Sequence, residues 1–264
     1  MHNTGLGDYI MMSGAVRHHL SYYNEVHLVS VHNKHRNVKF LYRDEPRVVL
    51  LEEPDARSSR GGQKKANRLA KNYRREGHEA KVFFWSYMAH WPQQIDRSGL
   101  DSKKNHWCET FYRNLGVEYS SRYENFYIER DLKKEEKLYE KVVARHGKDY
   151  IFVVDHTKRQ RRSMLVPDSS EIVNPGLWNV CDTLIFDWMT VIERAKAIHT
   201  VDTAYMHLIK QMRIKDRPKF FHRYPRPCPG SEGNYINDQW DNGWIDVVDR
   251  PTIGKINING KDYS

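Results

Sequence analysis

An acidic residue and a threonine stand where a short strand is predicted to turn into a helix. Residues 197–200 are apolar enough for a strand, and Val-Asp-Thr-Ala at 201–204 leads into a helical pattern that contains His207. The first backbone N–H groups of a helix have no intrahelical partner, so this turn predicts an anion site with a phosphate as its ligand. The competing interpretation is structural: Asp202 is only the helix cap, and His207 packs within the helix.

A basic loop follows another predicted strand earlier in the chain. Residues 150–154, Tyr-Ile-Phe-Val-Val, form the buried strand, and residues 157–163, Thr-Lys-Arg-Gln-Arg-Arg-Ser, hold four cations and two hydroxyl groups. Ligands of open α/β sheets bind at the carboxyl ends of strands, and this composition suits an oligophosphate. A solvated basic loop or a polybasic address signal is the alternative.

The N-terminus adds a carboxylate beside two glycines. Gly5 and Gly7 permit a tight turn and a close backbone approach, and Asp8 stands at the start of a predicted helix. The pattern is not a dinucleotide-binding fingerprint, because Ile10 occupies the position of the third glycine. Asp8 is either a functional carboxylate or a helix-capping residue.

In chain order, the motifs are Gly-Leu-Gly-Asp near the N-terminus, the strand with its basic loop in the middle, and Asp-Thr-Ala before the last helix. Together they resemble the heptosyltransferase family of bacterial lipopolysaccharide synthesis. The resemblance covers residues 4–212 and implies an α/β, GT-B-like fold with two Rossmann-like domains facing a central cleft. Residues 1–128 would form the acceptor-side domain and residues 129–222 the domain that binds the nucleotide-sugar. Residues 223–264 would be a tail that packs back.

The resemblance also implies roles for individual residues. Asp8 is then the catalytic base, with Gly5 and Gly7 supporting its turn. The residues expected to bind the donor diphosphate are Thr157, Lys158, Arg159, Arg162, Asp202, Thr203 and Ala204. Glu171 lies in the region expected to contact the nucleoside, and His207 has a supporting role in orientation or packing.

The residue types fit sugar transfer on chemical grounds as well. Transfer from a nucleoside diphosphate needs a base for the acceptor hydroxyl, charge stabilisation on the leaving diphosphate, and exclusion of water. Asp8 can supply the base, and the cations with the helix start can stabilise the diphosphate without a metal. We expect no cofactor beyond the nucleotide-sugar co-substrate. We expect inversion at the sugar carbon, because no second carboxylate nucleophile accompanies Asp8.

A second segment rich in basic residues lies in the N-terminal half, and its charge indicates what kind of acceptor or partner the protein binds. The chain carries a formal net charge of +9, and residues 57–75 are rich in Arg and Lys on a predicted helix. An anionic acceptor or partner follows: an acidic glycan or glycolipid, an anionic lipid surface, or nucleic acid. The alternative is a solvated helix face balanced by Glu76 and Glu79.

Composition predicts a soluble protein with reduced thiols. No apolar run reaches membrane-spanning length and no signal peptide is evident, so we expect a cytoplasmic enzyme, with peripheral attachment to an anionic surface as one option. Cys108, Cys181 and Cys228 are far apart and lack metal-ligand spacing. The scattered histidines, among them His27, His32 and His35, show no accompanying carboxylate pattern, so no metal site is predicted.

The predicted elements alternate as in a parallel sheet. Strands are predicted at 26–31, 47–51, 80–85, 150–154, 170–173, 183–186 and 197–201, and helices at 63–75, 129–146, 188–196 and 203–213. The helix at 129–146 is expected to turn Leu132, Leu138, Val142 and Val143 inward. Aromatic residues concentrate at 85–112, where they either stack on an acceptor or form a satellite core.

Two other functions remain compatible with the sequence. A non-catalytic nucleic-acid-binding protein explains the charge and the aromatic residues, but it does not need phosphate sites at two strand ends. A glycosyltransferase acting on hydroxymethylated bases of viral DNA would join the donor motifs to the basic N-terminal half. A phosphatase or nucleotide hydrolase would need clustered carboxylate ligands, which the sequence lacks.

Overall fold

The protein divides into two compact units. The computed structural model describes residues 5–53, 59–82, 107–157, 160–161, 172–176, 183–222, 241, 243–247, 256–258 and 261–263. One unit comprises Met1–Glu129 with Gly230–Asn234, and the other Arg130–Pro229 with Tyr235–Ser264. The assignment of the first unit to the acceptor and the second to the donor stays a prediction.

The first unit is built on two parallel strands. In chain order its elements are α1 (Leu6–His19), β1 (Val26–Val31), α2 (His32–Leu41), β2 (Val48–Glu53), α3 (Ser59–Arg75), α4 (Trp107–Asn114) and α5 (Ser121–Glu124). The register pairs Val26 with Val48 and Val31 with Glu53. The predicted strand at 80–85 is not seen where it is described, because residues 80–82 have no regular structure and 83–85 lie outside the described ranges.

Helix α1 is the core of this unit. Its residues from Tyr9 to Val16 are all buried, as expected for a helix that is apolar on most sides. Gly14 makes a close approach to α5: a Cβ at this position would lie 2.0 Å from the backbone oxygen of Ser121 and 2.9 Å from Cα of Arg122. Only a residue without a side chain therefore fits between these two helices.

The second unit contains a five-stranded parallel sheet. In chain order its elements are α6 (Leu132–His146), β3 (Ile151–Val154), β4 (His156–Thr157), β5 (Gln160–Arg161), β6 (Ile172–Val173), a 3-10 helix (Ile185–Trp188), α7 (Met189–Arg194), β7 (Ala197–Thr200), α8 (Ala204–Met212), β8 (Lys219–His222), β9 (Trp244–Val247), β10 (Ile256–Ile258) and β11 (Lys261–Tyr263). The strand order is β6-β3-β7-β8-β9, and every neighbouring pair is parallel. Strand β9 lies within the segment predicted to be a tail.

Two predictions about this unit are wrong. Residues 185–188 form a 3-10 helix instead of part of a strand at 183–186, and the Asp187 side chain accepts a hydrogen bond from the Leu184 amide at 2.8 Å at its start. A short apolar run has no periodicity that separates the two structures. Leu132 is 63% exposed because it opens the first turn of α6, whereas Leu138 and Val142 are buried as predicted.

A buried carboxylate fastens α6 to α7. Glu135 is 1% exposed and accepts hydrogen bonds from the Thr190 amide at 3.1 Å and from the Thr190 hydroxyl at 2.8 Å. The guanidinium of Arg130 bonds the same carboxylate and also Glu193 at 2.6 Å. These charge-assisted bonds offset the desolvation of Glu135 and hold the two helices in register. Within the described part of the chain, no helix is both long and apolar enough to cross a membrane.

Replacing Gly14 with Ala should destabilise the protein. Alanine normally favours a helix interior over glycine by about 1 kcal/mol, but here its methyl group would overlap the α5 backbone, and overpacking costs about 1–3 kcal/mol or more. We expect a net loss, seen as a lower melting temperature in thermal unfolding. Gly5→Ala is the control, because its Cβ would meet nothing nearer than 3.6 Å. Equal stability of both variants would contradict the close approach.

Candidate functional site

The carboxyl ends of β3 and β7 leave the sheet side by side. Val154 pairs with Thr200 at the end of the ladder, and the Val201 amide still bonds the Val154 carbonyl at 3.3 Å. The chain places β6 on one side of β3 and β7 on the other, so the strand order switches between β3 and β7. Ligands of open α/β sheets bind in the crevice at such a switch point. We refer to residues 155–157 and 201–204 together as the switch-point edge.

Helix α8 begins at this edge. Its N-cap is Thr203, with φ −145° and ψ 174°, so the prediction that Asp202 is the cap is wrong by one residue. The Thr203 side chain makes no capping bond, and its buried hydroxyl oxygen has no hydrogen-bond partner among the described residues. The first-turn amides, beginning at Ala204, have no intrahelical acceptor. The helix start thus carries donors that suit an anion.

His207 lies one turn into α8, next to Asp202. Its Nε2 is 3.8 Å from Oδ1 of Asp202, and the His207 side chain is 5% exposed. This burial fits the predicted role in orientation or packing. The pair links the turn before the helix to the helix itself.

Two polar residues at this edge were missed by the sequence prediction. Asn174, directly after β6, donates to Oδ1 of Asp155 at 2.7 Å and accepts from the Gly176 amide at 3.0 Å. Asp155 directly follows β3. Since parallel strands end at one edge, a search for polar residues just after each predicted strand could have found both.

The predicted basic loop begins as a short antiparallel pair. Thr157 pairs with Gln160, and His156 with Arg161. Lys158, Arg159, Arg162 and Glu171 lie outside the described residues, so their predicted contacts with the donor stay predictions.

Asp8 occupies the first turn of α1. Its Oδ2 accepts a hydrogen bond from the Gly5 amide at 2.6 Å, and its own amide donates to the Gly5 carbonyl at 3.1 Å. This is the geometry of a helix-capping carboxylate, which a base role does not exclude. Gly5 has φ −66°, so no left-handed turn explains the glycine.

The start of α1 is fixed to the carboxyl end of β1. The Tyr9 hydroxyl donates to the Val29 carbonyl at 3.1 Å and accepts from the Val31 amide at 3.4 Å. Burial raises the pKa of Tyr9 to about 12, so the phenol stays protonated as the donor at neutral pH. The first turn of α1, which contains Asp8, is therefore anchored to β1 through the Tyr9 side chain.

Two histidines in the first unit have carboxylate partners that the sequence pattern did not indicate. His32 Nδ1 lies 2.5 Å from Glu52 Oε1, and His27 Nε2 lies 3.0 Å from Glu25. His32 and Glu52 are far apart in sequence but meet because β1 and β2 are parallel and in register. Among the residues that the structure describes, no group of three or more His, Cys, Asp or Glu side chains could hold a metal ion.

Tyr112 belongs to the core and not to a stacking surface. It is fully buried, and its hydroxyl donates to the Met11 carbonyl at 2.7 Å. Of the other aromatic residues at 85–112, those from 85 to 91 lie outside the described ranges. Tyr112 is therefore a core residue, although it packs on α1 and not in a separate satellite cluster.

Buried polar groups support the sheet behind the edge. His199 on β7 and His222 on β8 share a hydrogen bond of 2.9 Å, and His199 stacks on Phe220 at 4.3 Å between ring centroids. Burial lowers the pKa of His199 to about 3, with a smaller effect from His222, and that of His222 to about 4. Both rings are therefore neutral in the folded protein at neutral pH.

A second buried group anchors the far half of α8. Asp241 accepts from Lys219 of β8 at 2.5 Å and from the Trp244 indole of β9 at 2.6 Å, and Lys210 of α8 lies 3.9 Å away. The two lysines and Asp241 are each about 1% exposed. The helix that begins at the switch-point edge is thereby tied to the two outer strands.

Comparison with known proteins relates this fold to a glycosyltransferase. A solved structure of a glycosyl transferase family 9 protein from Veillonella parvula DSM 2008 has a TM-score of 0.52 and 11% sequence identity, covering 92% of this chain and 83% of that one. No protein-family model matches the sequence, and no curated protein sequence does. The α/β class with parallel sheets is therefore shared with a glycosyltransferase structure. The predicted cleft between two Rossmann-like domains stays a prediction.

Acid should destabilise the protein through His199 and His222. The folded-state pKa values lie below the ordinary value near 6.5, so the unfolded chain takes up protons first, and stability falls as pH drops from about 6.5 toward 4. At pH 5 the loss is about 2 kcal/mol for each histidine relative to neutral pH. Urea unfolding between pH 5 and 7 measures it.

The matched variants are His199→Gln with His222→Gln, and the exposed His78→Gln as the control. The double variant should show a flatter dependence of unfolding free energy on pH, and the control an unchanged one. An unchanged slope in the double variant would show that other groups cause the acid sensitivity.

Proposed function

We propose that this chain is a glycosyltransferase that binds a nucleotide-sugar at the switch-point edge of its second unit. The observation that carries the proposal is the order switch between β3 and β7. At the same edge lie the first-turn amides of α8 and the Thr203 hydroxyl, which has no hydrogen-bond partner among the described residues. The fold similarity to a glycosyl transferase family 9 structure supports it.

The donor diphosphate would be held by oriented donors and by cations. The α8 amides and the Thr203 hydroxyl donate to diphosphate oxygens, while Lys158, Arg159 and Arg162 add positive charge. Asp202 and His207 orient the turn. These groups stabilise the charge that develops as the bond between the sugar carbon and the diphosphate oxygen breaks, so the proposed reaction needs no metal.

The acceptor hydroxyl would be activated by Asp8 in the first unit. Asp8 takes the hydroxyl proton, the oxygen attacks the anomeric carbon on the face opposite the diphosphate, and the diphosphate leaves with both bonding electrons. One displacement of this kind inverts the anomeric centre. The acceptor is then a hydroxyl on an anionic glycan, glycolipid or nucleic acid.

Replacing Thr203 with Val should weaken donor binding without destabilising the free protein. The hydroxyl has no described partner to lose, whereas a hydrogen bond to a charged phosphate oxygen contributes about 1.5–3 kcal/mol, or roughly 10- to 100-fold in Kd. Thermal-shift titrations with UDP, GDP, ADP and CMP sugars identify the donor and measure the change.

Thr203→Ser is the matched control, because it keeps the hydroxyl. It should retain most of the ligand-induced shift that Thr203→Val loses. A shift of equal size in both variants, or no shift of the parent protein with any of these donors, would overturn the assignment of this edge.

Replacing Asp8 with Asn should abolish most turnover in a folded protein. The Asn oxygen can still accept the Gly5 amide bond, so the cap is kept while the base is lost. General-base catalysis contributes about 10²–10⁴-fold, and we expect a fall in kcat of that order with little change in KM. Asp8→Ala additionally loses the cap, at about 0.5–2 kcal/mol of stability. Near-normal turnover by Asp8→Asn would leave Asp8 a structural role only.

A further inference from the structure

Helix α3 carries a narrow row of four exposed cations. Lys64, Arg68, Lys71 and Arg75 are exposed, and their spacing of four, three and four residues places them on one side of the helix. At about 100° per residue they lie within an arc of about 60°, and at about 1.5 Å per residue they span about 16 Å. We call these four residues the basic ridge.

The cations of the ridge have no carboxylate partner in the described part of the molecule. Helix α3 contains no Asp or Glu, and the four cations form no ion pair with any residue that the structure describes. Glu79 contacts Lys81 at 3.3 Å, and Glu76 is about 80° or more around the helix axis from the ridge. Like charges three and four residues apart destabilise a helix by about 0.2–0.5 kcal/mol per pair. In the described part of the chain, neither Glu76 nor Glu79 forms an ion pair with a ridge cation, so the predicted balance by these two residues involves no direct contact.

The opposite side of α3 fixes the direction of the ridge. Ala70 is buried, and the Tyr73 hydroxyl lies 3.3 Å from Nε2 of His27 on β1. Lys65, beside the ridge, donates to the Glu52 carbonyl at 2.9 Å, and Arg74 donates to the Ala80 carbonyl at 2.9 Å. These contacts hold the apolar side of α3 against the unit and leave the basic ridge facing solvent.

We infer that the basic ridge binds the phosphate backbone of a nucleic acid. Exposed Asn67 and Asn72 flank the four cations, so the surface consists of Lys, Arg and Asn, the side chains that donate to phosphate and base edges. A membrane-surface helix needs an apolar face turned toward lipid, but the apolar side of α3 packs within its own unit. Each strand of a duplex has one phosphate per about 3.4 Å of helix axis. Over the length of the ridge, about 16 Å, a duplex therefore offers at least one phosphate for each of the four cations.

Nucleic-acid binding by the basic ridge does not depend on glycosyl transfer. Binding is measured without any donor, by fluorescence anisotropy of a labelled duplex of about 24 base pairs over a range of salt concentrations. Four phosphate contacts predict a slope of log K against log salt of about −3.6. A single-stranded oligonucleotide of the same length shows which form is preferred.

The test variant replaces Arg68, Lys71 and Arg75 with Gln. We expect the slope to become less steep by about 2.7 and the affinity at about 0.1 M salt to fall on the order of 10²-fold. Because the variant removes like-charge repulsion, its melting temperature should be unchanged or higher. If the triple variant fails to fold, each single variant should still lower the magnitude of the slope by about 0.9.

The matched control replaces Lys133, Lys137 and Lys141 of α6 with Gln. These lysines are exposed and removing them changes the net charge equally, but Glu136 and Glu140 lie on the same helix. The control should keep the parent slope. An equal loss in both variants would show a nonspecific charge effect, and ridge-dependent binding to phosphatidylserine vesicles without binding to nucleic acid would assign the surface to lipid. Either result overturns the inference.

Discussion

The parallel direction of the five strands in the second unit is the constraint on which the candidate site depends. Parallel strands end at one edge of a sheet. From β3 the chain continues to β6 on one side, whereas β7 lies on the other side, so the connections leave β3 and β7 in opposite directions and open a crevice between their ends. The register that pairs Val154 with Thr200 brings the residues after each strand to the same level. Asp155, Asn174 and Thr203 come to the same edge because each follows one of these parallel strands, although they are distant in sequence.

Buried polar contacts keep that edge in place. The shared hydrogen bond of His199 and His222 ties β7 to β8, and Asp241 joins β8 to the helix that starts at the edge. Such groups cost desolvation energy and are tolerated only when their partners are well placed. They therefore couple the position of the α8 amides to the packing of the whole sheet, and a ligand at the edge would meet donors that are already oriented.

Patterns of adjacent residues predicted the elements around the candidate site. Contacts between residues that are distant in sequence were not predicted. The change from an apolar strand to a polar turn located β3, β7 and α8, because these transitions depend on adjacent residues. The N-cap is Thr203 instead of Asp202. Asp and Thr are both favoured at this position, and the residue types alone do not show which of two neighbours has the backbone angles of the cap. The pair His32–Glu52 needs strand register, which one sequence cannot provide. Asp155 and Asn174 could be found as polar residues after predicted strands, but their hydrogen bond could not be predicted without the pairing of β3 with β6. The 3-10 helix at Ile185–Trp188 was missed because four buried residues in a row carry no period.

The two charged helices show why composition alone cannot assign a basic segment. Helix α6 is rich in lysine, but its Glu135 and Glu136 pair with Arg130 and Arg194, so its charges serve the packing of its own unit. Helix α3 has no acidic residue and keeps four of its cations in a row on one solvent-facing side. Both segments contribute to a net charge of +9, but helix α6 contains acidic residues of its own and helix α3 contains none. An external polyanion is the partner that would offset the repulsion within this row, because no carboxylate in the described part of the chain forms an ion pair with the four cations.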